Sequence, residues 1–214
     1  AEELFVFQRT PNYVVPAQNR PLSSNEVAEI KADYPEFRRM AKQTPLAFTY
    51  PNHTDSALDC TDAERHERFE EQWKVGGLPF AAAFGDLTTN MEANRYLVEF
   101  WQSKLREIVK DPEMAEILTP KEVYGCRRVC SSTGYYETFN RDSVTLVDVS
   151  GTGVEKFTEN GLIANGQEFD LDAIVCATGF DAITGSVTRI QITGLNGLTI
   201  GDAWSEGAKS YLGI

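Results

Sequence analysis

The sequence predicts an α/β protein with a mostly helical block set between strand segments, and three observations carry that prediction. Near the N-terminus, the four consecutive apolar residues Leu4-Phe5-Val6-Phe7 read as a strand buried on both faces, as in a parallel sheet. From Ser23 to about Leu118, capping signals and apolar residues at three- and four-residue spacing read as helices. After Pro120, short apolar runs and an Asn-Gly turn return the pattern to strands.

The bulk properties bound what such a scaffold can do. A chain of 214 residues forms one large domain or two small ones, and either buries a real core. Apolar residues at 42%, with aromatics at 11%, mark it as globular. No apolar run approaches the roughly 20 residues of a membrane helix. The opening Ala1-Glu2-Glu3 lacks the basic stretch of a signal peptide, so a soluble, cytoplasmic protein is expected. A net charge of −12 argues against sequence-independent nucleic-acid binding, which needs a broad basic surface, yet leaves room for a small arginine-built anion site. Cys60, Cys126, Cys130 and Cys176 make no disulfide framework. Cys126 and Cys130 have the spacing of half a metal site. With only His53 and His66 as histidines and no second cysteine pair, no metal is expected.

Taken in order, Pro11 removes a backbone donor and should end the first strand, and the stretch through Pro16 and Pro21 reads as an extended linker or lid. Ser23-Ser24-Asn25-Glu26, Thr61-Asp62-Ala63-Glu64 and Thr89-Asn90-Met91-Glu92 each pair a hydroxyl with a glutamate three residues on. That is the pattern of a reciprocal N-terminal cap, so three helices should begin there. On the second, Phe69 and Trp73 lie one turn apart, and Gly76-Gly77 should end it. On the third, Ala93, Tyr96, Leu97, Phe100, Trp101, Leu105, Ile108 and Val109 form one buried stripe. Asp111-Pro112 stops that helix and caps a short one running to about Leu118. Residues 144–147 read as a strand, residues 156–158 and 162–164 as a hairpin around Asn160-Gly161, and residues 172–177 as another buried strand ending in Thr178-Gly179.

Residue types alone assemble no complete catalytic constellation. There is no Gly-x-Ser-x-Gly elbow, no phosphate loop and no Gly-x-Gly-x-x-Gly; Gly151-Thr152-Gly153 opens a strand and lacks a third glycine. Three local features go further. Gln8-Arg9-Thr10 ends the presumed parallel strand, where open α/β sheets bind ligands; the arginine fork suits a phosphate and the threonine adds a hydrogen bond. The plainer reading is a solvated strand end. Arg127-Arg128, close after Gly125, is either ordinary surface charge or a pair that holds an anionic cofactor. Ala177-Thr178-Gly179 is either a tight turn against another segment or an ordinary strand exit.

Four segments carry a family resemblance. Phe5-Val-Phe-Gln-Arg-Thr-Pro-Asn-Tyr13, Tyr135-Tyr-Glu-Thr-Phe-Asn-Arg-Asp142, Ala177-Thr-Gly-Phe-Asp181 and Ser210-Tyr-Leu-Gly213 fall in the order found in Baeyer–Villiger monooxygenases. From about Leu4 to Ile214 the chain resembles the cyclohexanone/phenylacetone monooxygenase type. The resemblance implies an internal part of a flavoprotein with two dinucleotide-binding domains and a mostly helical insertion. Residues 1–20 would be a strand and linker of the NADP-binding domain, 21–120 the insertion, 121–176 the NADP-binding domain resumed, and 177–214 a hinge and return to the FAD-binding domain. The family's Phe/Gly/His/Trp fingerprint and both dinucleotide glycine loops would then precede Ala1.

The same resemblance implies FAD and NADP as cofactors, each needing segments outside this chain. Ketone and O2 are the implied substrates, with a C4a-peroxyflavin converting the ketone to an ester or lactone. Arg9 and Thr10 match the pair that grips the 2′-phosphate of NADPH, and Arg127 stands where many members have a lysine for that purpose. Arg128 matches the catalytic arginine, which stabilises the peroxide without protonating it and helps to position the nicotinamide. The runner-up is a flavin monooxygenase that oxygenates nitrogen or sulfur. From a different class comes a non-catalytic interaction module built on the acidic helices.

Overall fold

The computed structural model describes residues 2–44, 47, 53–180, 182 and 184–210. Up to residue 117 the chain holds β1 (Leu4–Gln8), β2 (Val14–Pro16), α1 (Ser24–Ala32), α2 (Tyr34–Ala41), α3 (Asp62–Val75), α4 (Met91–Ile108) and α5 (Pro112–Ile117). The remainder holds β3 (Cys130–Ser132), α6 (Tyr135–Thr138), β4 (Val144–Asp148), β5 (Val154–Phe157), β6 (Gly161–Ala164), β7 (Gln167–Asp170), α7 (Gly185–Thr188) and α8 (Ile200–Ala203). Two compact units result: residues 1–158 with 162–169, and residues 159–161 with 170–214.

In the larger unit the expected first strand forms and is parallel. β1 pairs with β4 from Leu4 opposite Val144 to Gln8 opposite Asp148. Its two faces are separately occupied, as strand alternation requires. Phe5 and Phe7 meet the ring of Phe169 from β7 at 5.4 and 5.0 Å, while Val6 packs against the main core. Cover is thinner than foreseen, because residues 5–8 are only half-buried.

A second parallel pair lies within the stretch that reads as a linker. β2 pairs with β3, Val14 opposite Cys130 and Pro16 opposite Ser132, and Tyr13, Val14 and Val15 are all buried. Tyr-Val-Val has the shape for a pleated, packed surface, and Pro16 is tolerated because it stands where the pairing ends. Prolines on both sides hide this short strand in the sequence.

The helices follow their caps closely. Ser23 and Thr61 each make the full reciprocal cap, with Glu26 and Glu64. At α4 the cap falls one residue later than expected. Asn90 accepts from the amides of Glu92 and Ala93, at 2.9 and 3.3 Å, and the Thr89 hydroxyl turns back to the Asp86 carbonyl. Both residue types can cap, and the asparagine oxygen reaches two amides at once. α3 ends at Gly76, whose φ of +75° and 2.4 Å gap between a would-be Cβ and the Pro16 carbonyl exclude any side chain.

The core sits where α3 and α4 meet β2. Ala93, Leu97, Phe100, Trp101 and Leu105 of α4 are buried, as their spacing predicts. They pack with Phe69 of α3 and with Phe80 and Phe84 from the segment between the two helices. Trp101 is fully buried, and its indole N–H donates to the Val14 carbonyl at 3.0 Å, joining α4 to β2. The hairpin at Asn160-Gly161 forms between β5 and β6. An unexpected strand, β7, follows a second Asn-Gly turn at residues 165–166. There both φ angles are positive, at +52° and +70°, as a two-residue hairpin turn demands.

In the smaller unit, residues 172–177 do not form the expected strand. The segment has no ladder partner among the described residues and is exposed, Val175 at 88%. A buried strand needs neighbours for its backbone groups as well as apolar side chains, and here only the side chains are present. The unit otherwise holds α7, α8 and an antiparallel bridge between Thr193 and Thr199. Asp181 of the third resemblance segment and Tyr211, Leu212 and Gly213 of the fourth lie outside the described residues. No helix among the described residues is long and apolar enough to cross a membrane.

Trp101 supports a graded test. Trp101→Phe should cost about 1 kcal/mol through the lost bond to Val14. Trp101→Ala should cost about 3–5 kcal/mol by opening a cavity. Urea unfolding of the two variants, followed by circular dichroism, measures both.

Candidate functional site

β1 delivers Arg9 and Thr10 beyond the carboxyl end of a parallel pair, the place where α/β sheets bind ligands. Gln8 fixes that end: its side-chain amide donates to the Ile117 carbonyl at 3.0 Å, and its own carbonyl accepts from the Val149 amide at 2.9 Å. The chain then leaves the sheet with Arg9 exposed and Thr10 half-buried.

The second arginine-bearing segment precedes β3 and is held from several sides. Asn94, buried on α4, donates through Nδ2 to the carbonyls of Leu87 and Tyr124 at 2.8 and 3.0 Å. Its Oδ1 accepts from the Tyr124 amide at 3.1 Å. The Tyr13 hydroxyl donates to the Glu122 carbonyl at 2.7 Å. Gly125, with φ at +91°, then turns the chain toward Arg127 and Arg128, which are both exposed.

Charge is unevenly distributed across these arginines. Arg127 pairs with Glu122 at 2.8 Å in a half-exposed bridge worth roughly 0–1 kcal/mol. Neither Arg9 nor Arg128 has a carboxylate partner among the described residues. Among the described residues, the guanidiniums of Arg9 and Arg128 are therefore not neutralised by a carboxylate, despite the chain's acidity. A guanidinium offers hydrogen-bond donors in a planar fork and no acceptor, so each suits an anion.

One side chain joins the two segments. Asn12 donates through Nδ2 to the Arg128 carbonyl at 2.8 Å, with the Cys130 sulfur at 3.5 Å, and its Oδ1 accepts from the Tyr13 amide at 2.9 Å. The Cys130 amide donates to the Tyr13 carbonyl at 3.0 Å, and the Tyr136 hydroxyl reaches the Asn12 carbonyl at 3.4 Å. The structure therefore brings the backbone of Arg128 to the turn that follows Arg9 and Thr10, while the Arg127 side chain is engaged by Glu122. Residue types did not single out Asn12 or Asn94. The only trace of Asn94 is a polar residue inside an apolar stripe, and Asn12 leaves none beyond its place after Pro11.

The tyrosines around this frame resist ionisation. Burial raises the Tyr13 phenol, and the charges of Glu122 and Cys126 push the same way. Burial likewise drives Tyr124 and Tyr136 far up. Tyrosines in the unfolded chain ionise near about pH 10. Stability from these three is therefore complete below that pH and should fall as pH rises through the folded values. Stability measured against pH should drop above about pH 10, and Tyr124→Phe should reduce the slope. Asn94→Leu should cost about 3 kcal/mol by stranding the backbone groups of Tyr124 and Leu87, measured by urea unfolding.

Comparison with known proteins places this geometry. No family model matches the chain. Over its whole length it is 44% identical to cyclohexanone 1,2-monooxygenase of Acinetobacter sp and 40% identical to a Baeyer–Villiger monooxygenase of Pseudooceanicola batsensis, covering 40% of each. A solved structure of OTEMO in complex with FAD and NADP matches with a TM-score of 0.90 at 41% identity, over 100% of this chain and 40% of that one. The chain thus spans about two fifths of the length of the relatives it matches. Along its whole length the chain resembles, in sequence and in fold, about two fifths of these monooxygenases.

Proposed function

We propose that the protein containing this chain is an FAD-dependent monooxygenase that uses NADPH and O2 to insert one oxygen atom beside a ketone carbonyl. Ketone, O2, NADPH and a proton give an ester or lactone, water and NADP⁺. The observation that carries this reading is identity along the entire chain to proteins named for such chemistry. The exposed guanidinium of Arg128, with no carboxylate partner among the described residues, supports it. On this reading the protein is cytoplasmic. Residues 1–20 and 121–176 belong to an NADP-binding domain, residues 21–120 to an inserted helical domain, and residues 177–214 lead back to an FAD-binding domain.

The donor set fits the phosphate of NADPH. Arg9, with no carboxylate partner among the described residues, offers a planar fork at a strand end, and Thr10 adds a hydroxyl for the 2′-phosphate. Arg127 contributes by exchanging the weak pairing with Glu122 for the phosphate dianion. When bound, FAD supplies the redox chemistry that takes hydride from NADPH and activates O2. On this reading both cofactors draw on further parts of the protein, as the 40% coverage of the relatives supports. Arg128 acts electrostatically: its guanidinium stabilises negative charge on the reacting oxygen and yields no proton to it, so the oxygen stays nucleophilic. The same cation helps to orient the nicotinamide.

Two substitutions in the full-length protein test these roles. Arg128→Ala should abolish ketone oxygenation while leaving FAD bound; normal ester formation overturns the assignment. Arg9→Ala should raise the KM for NADPH by about tenfold to a hundredfold, the loss of a charge-assisted bond, and leave that for NADH nearly unchanged. Equal losses for both would remove Arg9 from the 2′-phosphate. Amine or thioether oxygenation in place of ketone oxygenation would favour the heteroatom reading.

A further inference from the structure

We infer that Asn12 is a positioning residue for Arg128, holding its carbonyl so that the guanidinium keeps one direction at the reaction centre. The inference rests on the reading of Arg128 given above and adds the group that aims it. Adjacent residues project their side chains apart, so the direction of each arginine follows from the backbone dihedrals between them. Gly125, at φ +91°, gives the segment a pliable entry. Arg127 and Arg128 also repel one another, which favours any backbone rotation that spreads them.

Asn12 opposes that rotation. Its Nδ2 holds the Arg128 carbonyl at 2.8 Å, and its Oδ1 is itself fixed by the Tyr13 amide at 2.9 Å. Tyr13 is buried, so this strut is anchored in the core. Among the described residues, the Cys130 thiol also approaches the Arg128 carbonyl, at 4.0 Å, the limit for a sulfur donor and too weak to replace an amide. Asn12 also follows Thr10 by only two residues. The same strut therefore stands between the proposed phosphate grip and the proposed catalytic cation.

The two bonds of Asn12 can be separated by substitution. Asn12→Asp keeps an acceptor for the Tyr13 amide and removes the donor to Arg128; Asn12→Ala removes both. In the full-length protein with FAD, at saturating NADPH, the reading is the fraction of NADPH consumed that ends as ester rather than hydrogen peroxide. Working at saturation removes any change in NADPH binding. Both variants should lower that fraction by about fivefold, the effect of one lost hydrogen bond on the aligned population. Hydrogen exchange at the Val129 and Cys130 amides should rise in both, with the thermal midpoint close to that of the parent protein. Parental coupling in Asn12→Asp overturns the inference. So does a loss confined to Asn12→Ala, which would assign the effect to the Tyr13 bond. If Asn12→Ala is too unstable to assay, Asn12→Asp decides alone. A parent protein that forms no ester from a ketone panel overturns the functional reading as well, and that failure is visible without any variant.

Discussion

The burial of Tyr13 is the constraint on which the site's frame depends. Its ring packs 4.9 Å from both Trp101 and Tyr124, its hydroxyl holds the Glu122 carbonyl, and its backbone carbonyl receives the Cys130 amide. A single residue next to β2 thus touches the helical core, the approach to the arginine segment and the start of β3. The aromatic ring supplies the burial, and the polar groups at its edges supply direction. A residue of the same size without the hydroxyl keeps the first and loses part of the second.

Much of the scaffold was legible because its determinants are local. The caps at Ser23 and Thr61 and the stripe on α4 each depend on residues within a few positions of one another. The misplaced cap at α4 has the same origin: Thr89 and Asn90 are both competent, and only the three-dimensional reach of the asparagine decides. β2 was not legible because its partner lies more than a hundred residues away and prolines bracket it. Residues 172–177 failed in the opposite sense. The local pattern is that of a buried strand, but strand formation is settled by a neighbour, and none is present among the described residues.

The candidate site divides along the same line. Arg9, Thr10, Arg127 and Arg128 are nominated by charge and by family resemblance, both of which are read from the sequence itself. The groups that hold them act across long separations: Asn12 to Arg128 spans 116 residues and Asn94 to Tyr124 spans 30. An asparagine that bonds to a distant backbone has no local signature. The acidic helices of residues 21–120 also suggest a non-catalytic interaction module. Through Asn94 and Trp101, α4 reaches into the frame around the arginines.

Asn94 engages both the amide and the carbonyl of Tyr124, so α4 lends the loop one rung of a β-ladder, made by a side chain. That recognition reads only main-chain atoms. The Arg127 side chain adds one half-exposed ion pair, with Glu122, to that main-chain hold. Much of the loop's placement is thus invested in its backbone, read by a side chain of the neighbouring helix.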